Sequence, residues 1–249
     1  MRSIVVETAG KVQTISYTLS RRKGKRGITI RIKADGRVFV SASLSEPLSN
    51  IELFLRQKEG WIQEHVAQMQ SRPQLPAHTW SNGDILLLFG NRYILRIECG
   101  LMLGRKMTSV MINADEIIVM TALEDINPRQ VYDAVISFYR SQALAYLSES
   151  IPRRASLMGL PAPQFSVINC TSRWGSCSSR KKLSFAARIA TLPERLIEYL
   201  VLHELSHLVY FNHGVEFKRL LTSQMPDWKS RQRELYDHQA LSDLRFEAK

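Results

Sequence analysis

The stretch PERLIEYLVLHELSHLVYFNH, residues 193–213, decides how this chain is read. It has no internal Gly or Pro, opens on a proline suited to a first helical turn, and spaces its apolar residues as a largely buried helix does. That pattern predicts a helix over 193–211, closing near Asn212-His213-Gly214. Within it, His203 and His207 bracket Glu204 in the sequence HELSH. Residues four apart on a helix stand one turn above each other on one face, so both imidazoles can reach one ion. Glu204 lies beside that face, close enough to act on a bound water without being a ligand. A catalytic zinc takes three protein ligands and keeps one position open, where the pKa of its water falls to about 7. Glu204 is then the expected general base, and later the proton donor to the leaving group. One zinc per chain is expected.

The third ligand stays open at this level. His213 lies six residues beyond His207, too far to return to the same ion along a straight helix, so the helix must stop first. A left-handed residue ends a helix at low cost, and Asn212 or Gly214 suits that conformation. The metzincin pattern HExxHxxGxxH has the same histidine spacing, but its glycine position is Tyr210 here. The competing ligands are downstream carboxylates of the gluzincin kind, Glu216 or Glu234.

Upstream lies a second unusual segment, Ser172-Arg-Trp-Gly-Ser-Cys-Ser-Ser179, between the predicted strands FSVINC (165–170) and LSFAARIA (183–190). Its small residues leave backbone N–H groups accessible, and Arg173, Arg180, Lys181 and Lys182 surround it with positive charge. It can hold an oxyanion or a phosphate, or it can be a tight turn with Trp174 as an apolar plug. Arg173 and Tyr210 are the candidate substrate-binding groups at the transition state. Cys177 reads as a buried, inert thiol. Before this segment, Asn127-Pro128 opens a long amphipathic helix running to about Glu149 and ending at Ile151-Pro152.

The first 122 residues read differently. Alternating β-branched and aromatic residues predict strands at 12–19, 27–33, 37–43, 84–90, 91–98, 107–113 and 116–122. Turns fall at Ala34-Asp35-Gly36, Gly90-Asn91 and Asn113-Ala114-Asp115. One helix is predicted from about 47 to 70, with a proline-broken connector at 71–80. The expected fold class is therefore α+β: a strand-rich N-terminal region, 1–122, then a helical catalytic region, 123–249, built from the HELSH helix and a backing helix. A further helix is expected from Val215 to about Thr222, before a polar helical tail. No internal repeat is visible.

Composition narrows the function classes. Among 249 residues, 45% are hydrophobic and 23% charged, which is ordinary globular composition. The net charge is +11, concentrated at both ends of the chain, which suits phosphate-bearing partners without dictating one. RRKGKR (21–26) is either a solvated hairpin tip or a contact to a nucleic-acid backbone. No apolar run reaches the length of a membrane span, the N-terminus lacks a secretory h-region, and three cysteines do not make a disulfide framework. A cytoplasmic location and no membrane partner are expected.

Taken together, RWGSC, LSF, LPERLIEYLVLHELSHLVYFNH and the following EF resemble the YgjP-like metal-dependent hydrolase family, related to SprT-like and WLM zinc metalloproteases. The match is close over residues 165–220 and looser across the N-terminal strands and KEGWI (58–62). The resemblance implies a zincin-type catalytic region with His203, His207 and His213 as zinc ligands and Glu204 catalytic. At FAAR (185–188) the family usually has an Asn-Trp pair before the arginine, so substrate preference does not carry over. The zincin relationship implies peptide hydrolysis, whereas members are also associated with UTP pyrophosphatase activity. The SprT-like relatives suggest a DNA-associated protease as a further alternative. Substrates expected on these grounds are a peptide or a nucleotide.

Overall fold

The computed structural model describes residues 2–8, 11–33, 36–70, 78–100, 108–242, 244 and 246. The turn at Ala34-Asp35, the connector at 71–77 and Met107 lie outside the described residues. The chain forms two compact units, residues 1–73 and 74–249. This division falls well before the change of character read at 122/123, because the second set of hairpins belongs with the helices that follow it.

In the first unit, β1 (Arg2–Thr8), β2 (Lys11–Arg22), β3 (Thr29–Ile32) and β4 (Val38–Ser43) form one sheet in the order β1-β2-β4-β3. The sequence reading places no strand at 2–8; the structure pairs that segment antiparallel with β2, Ile4 opposite Ile15. β2 runs parallel to β4, and β3 antiparallel to it. On β4, Val38, Val40 and Ala42 alternate inward, as a half-buried strand requires. They pack with Ile51 and Leu55 of α1 (Leu48–Gln57) and Ile62 of α2 (Glu59–Gln70) in a core of their own. The single helix predicted at 47–70 is thus two, interrupted at Lys58. In the basic run, Arg21 donates to the carbonyls of Leu44 and Glu46, and Lys25 to Thr29, while Arg22, Lys23 and Arg26 face solvent.

The second unit starts with β5 (Ile85–Leu88), β6 (Asn91–Cys99), β7 (Thr108–Asn113) and β8 (Glu116–Thr121). Its order, β5-β6-β8-β7, and its pairing senses repeat those of the first sheet strand for strand. The helix α3 (Pro128–Leu157) follows, started by an Asn127 capping box with Gln130. Val131, Val135, Tyr139, Ala143, Leu147, Ile151 and Ala155 recur every fourth residue, and all seven are fully buried. That stripe is why Pro152 does not end the helix where the sequence predicts. The missing N–H costs one backbone bond, but Ile151 and Ala155 on either side remain in the core. The helix stops instead at Gly159, left-handed with φ +67°, where the Leu160 N–H returns to the Ala155 carbonyl at 2.9 Å.

A three-stranded sheet comes next: β9 (Phe165–Ile168), β10 (Gly175–Cys177) and β11 (Leu183–Ala186), ordered β10-β11-β9. The predicted strand pair is present and parallel, but β11 ends at Ala186 and a 3-10 turn occupies 187–191. Part of the segment read as loop is itself an edge strand, β10, antiparallel to β11. The chain ends in α4 (Glu194–Ser206), α5 (Val215–Gln224) and α6 (Trp228–Leu241). The fold is mixed α+β with a strand-rich N-terminal part. Among the described residues, no helix is long and apolar enough to cross a membrane.

Candidate active site

The site depends on where α4 starts and stops. Its start is set by the β5–β6 turn, where Phe89 and Gly90 both have positive φ. Their N–H groups donate to the carbonyls of Ala190 and Thr191, just before Pro193. A side chain on Gly90 would come within 2.8 Å of the Pro193 ring, so this glycine is fixed by sterics as well as by backbone conformation. Along its length, α4 is held by Glu198. Its carboxylate accepts from Tyr146, Ser150, Arg153 and Arg154 of α3, at 3.1, 2.6, 2.8 and 3.1 Å. Burial raises the Glu198 pKa, but these donors outweigh it and the net shift is downward.

The stop differs from the sequence expectation. α4 ends at Ser206 rather than 211, with His207 as its capping residue. The chain then tightens: the N–H of Leu208 reaches Leu205, and those of Val209 and Tyr210 reach Ser206. No left-handed residue is used, since Gly214 has φ −69° and Asn212 is not among the described residues with positive φ. Tightened turns achieve the reversal that was expected of a left-handed closure.

That reversal brings His213 back. The Nε2 atoms of His203 and His213 are 3.1 Å apart, and one ligand atom from each of His203, His207 and His213 lies within 4.8 Å of the others. Nitrogens about 2.0–2.1 Å from a tetrahedral zinc sit about 3.3 Å from one another, so the cluster fits such an ion. The competing carboxylates point elsewhere: Glu216 pairs with Arg219, and Glu234 with Arg195 and His238. Neither joins the histidine cluster. Burial, then the neighbouring histidines, lowers the His203 pKa to about 4, and burial also lowers that of His207. Neutral imidazoles are the form that ligates. The second ring nitrogens are held too: His207 Nδ1 lies 3.2 Å from the Tyr210 carbonyl and His203 Nδ1 3.5 Å from the Tyr199 hydroxyl. Phe217 of α5 lies beside all three imidazoles, with ring centroids 5.1, 4.7 and 4.8 Å away. The sequence gives Phe217 no functional role of its own; it enters only as the Phe of the EF pair that carries the family resemblance and as an apolar position in α5.

Glu204 is 5% exposed. Burial pushes its pKa up to about 7, with Arg173's positive charge pulling the other way. Its carboxyl packs against Gly175, where a Cβ would approach Glu204 Oε1 to 2.8 Å. The glycine of RWGSC is therefore small to make room for Glu204. A cavity of about 310 Å³ opens beside it, lined by Arg173, Trp174, Arg188, Tyr199, His203 and Gln232 among others. Arg188 stacks on Trp174 at 3.8 Å from the ring centroid. Tyr210 is not part of this lining; its carbonyl is the acceptor for His207. Arg180, Lys181 and Lys182 sit at the exposed β10–β11 turn, away from the cavity. Cys177 is half-buried rather than buried, and burial and then the charge of Glu204 push its thiol up.

No curated protein and no solved structure matches the chain. A comparison with protein families matches residues 26–238 to the YgjP-like family, metallopeptidase domain. That family implies a divalent metal. The match spans both compact units, and on it the chain belongs to the YgjP-like family and is a metal-dependent hydrolase of metallopeptidase type.

Proposed function

We propose that the chain is a zinc-dependent peptidase with a zincin-like site, in which His203, His207 and His213 hold the ion and Glu204 is the general base. The observation that carries this reading is the convergence of three imidazoles beside a buried carboxylate that is not itself in the cluster. A divalent ion there polarises a carbonyl and makes water a stronger acid. Glu204 accepts a proton from the attacking water and delivers it to the departing amine. A cation held by the three histidines would favour the ionised form of Glu204, against the effect of burial. Arg173, on the same cavity, is placed to offset negative charge developing on the carbonyl oxygen.

A peptide is favoured as substrate because β10 is an edge strand and its Gly175 touches Glu204. An extended chain can pair with such an edge and bring one of its amides to the carboxylate. Glu204→Gln is expected to lower peptide turnover by about 10³-fold while zinc stays bound. Turnover retained in that variant contradicts the mechanism.

A second reading has an observation of its own. Arg173 and Arg188 both line the cavity, and two guanidinium groups suit a nucleoside triphosphate. Release of pyrophosphate from UTP, without cleavage of unfolded protein, decides for that reading. Inertness toward nucleotides removes it.

A further inference from the structure

The segment that returns His213 to the site has a second property. Val209, Tyr210, Phe211 and Val215 are all exposed, between 38% and 65%. Fourteen large hydrophobics are exposed among the described residues, and four of them fall in this seven-residue window. Single exposed apolar residues are ordinary, but a group of them beside a reactive centre marks an interaction surface.

We infer that this loop is a substrate-docking wall that selects bulky apolar side chains next to the scissile bond, its occupant being the substrate polypeptide; the inference rests on the peptidase reading above. The loop proper, 207–213, is fixed at both ends by histidines of the cluster and internally by the bonds from Val209 and Tyr210 to Ser206 and from His207 to Tyr210, and Val215 follows it as the first residue of α5. Each of the four side chains is within three residues of His207 or His213, so each Cα lies at most about 11 Å from that of a histidine. An extended peptide advances about 3.3 Å per residue, so its second and third residues from the reacting amide fall over this span. The core does not need these side chains, because Phe217 already fills the space beside the imidazoles. The cavity on the Glu204 side is mixed, with Arg173, Arg188 and Gln232 beside Trp174, Leu200 and Leu235, whereas the exposed large side chains of this segment are apolar or aromatic.

The test uses full-length, zinc-loaded Glu204→Gln protein and fluorescent peptides of equal length and charge, with Leu and Phe or with Ser flanking the central amide. Anisotropy should show the apolar peptides binding about tenfold or more tightly than the Ser peptides. Phe211→Ser and Val215→Ser should each erase most of that preference with zinc content and melting temperature unchanged, and Phe211→Leu should restore it. In the active protein the same changes should raise KM far more than they lower kcat. Equal binding of both peptides, or a preference that survives both serine variants, overturns the inference. Cleavage of any peptide by the wild type is read separately. If peptides are cleaved without apolar preference, only the docking wall fails. If none is cleaved, the peptidase reading fails and the inference with it.

Discussion

The two four-stranded sheets share strand order and pairing sense, yet they do different work. The first, β1-β2-β4-β3, closes a core of its own under α1 and α2. The second, β5-β6-β8-β7, joins the core of α3 and α4, and its Phe89-Gly90 turn fixes where the histidine-bearing helix begins. Topology alone therefore predicts nothing about function; the difference lies in what one turn touches.

Paired truncations in the two cores test this contrast most severely. Leu55→Ala in the first unit and Leu147→Ala in the second each remove a fully buried side chain and should cost about 3 kcal/mol. Leu147→Ala should also weaken metal binding, whereas Leu55→Ala should leave it intact, as read by denaturant melts and metal titration. Equal loss of metal affinity in both would break the comparison. Gly175→Ala should displace the Glu204 carboxyl and lower turnover by about 10²-fold at unchanged zinc content. Glycines at turns in the two units offer a finer contrast. Gly24 has φ +73° with open space around it, so Gly24→Ala should cost about 1 kcal/mol, from backbone strain alone. Gly90→Ala meets Pro193 as well and should cost about 2–3 kcal/mol, with a drop in activity.

A comparable but pH-dependent effect concerns Glu198. Its native pKa is depressed, so its charge stabilises the fold above the ordinary carboxylate value, and that stability is lost as pH falls through the native value. Glu198→Gln should therefore be less stable than wild type by about 1.5 kcal/mol at pH 7, and the two should converge in acid. A constant difference at all pH values would assign the loss to packing instead.

What could be read from the sequence was local. Alternation located seven strands, and the four-residue spacing of His203 and His207 put their imidazoles side by side, with ring centroids 5.0 Å apart. Features set by distant partners were not legible. The close of α4 at Ser206 depends on backbone bonds from Leu208, Val209 and Tyr210 that leave no residue signature, and Pro152 survives inside α3 because the stripe from Val131 to Ala155 overrides its local cost. Gly175 looked like a loop residue because its reason, Glu204, is 29 positions away in sequence. The repeated sheet stayed hidden because strand order is carried by pairing, whereas the two halves share only apolar alternation.

The most direct measurement of the central claim is the metal content of purified wild-type protein beside His213→Ala. The account predicts about one zinc per chain in the wild type, lost or greatly weakened in the variant. Zinc held equally well by His213→Ala would contradict the three-histidine site.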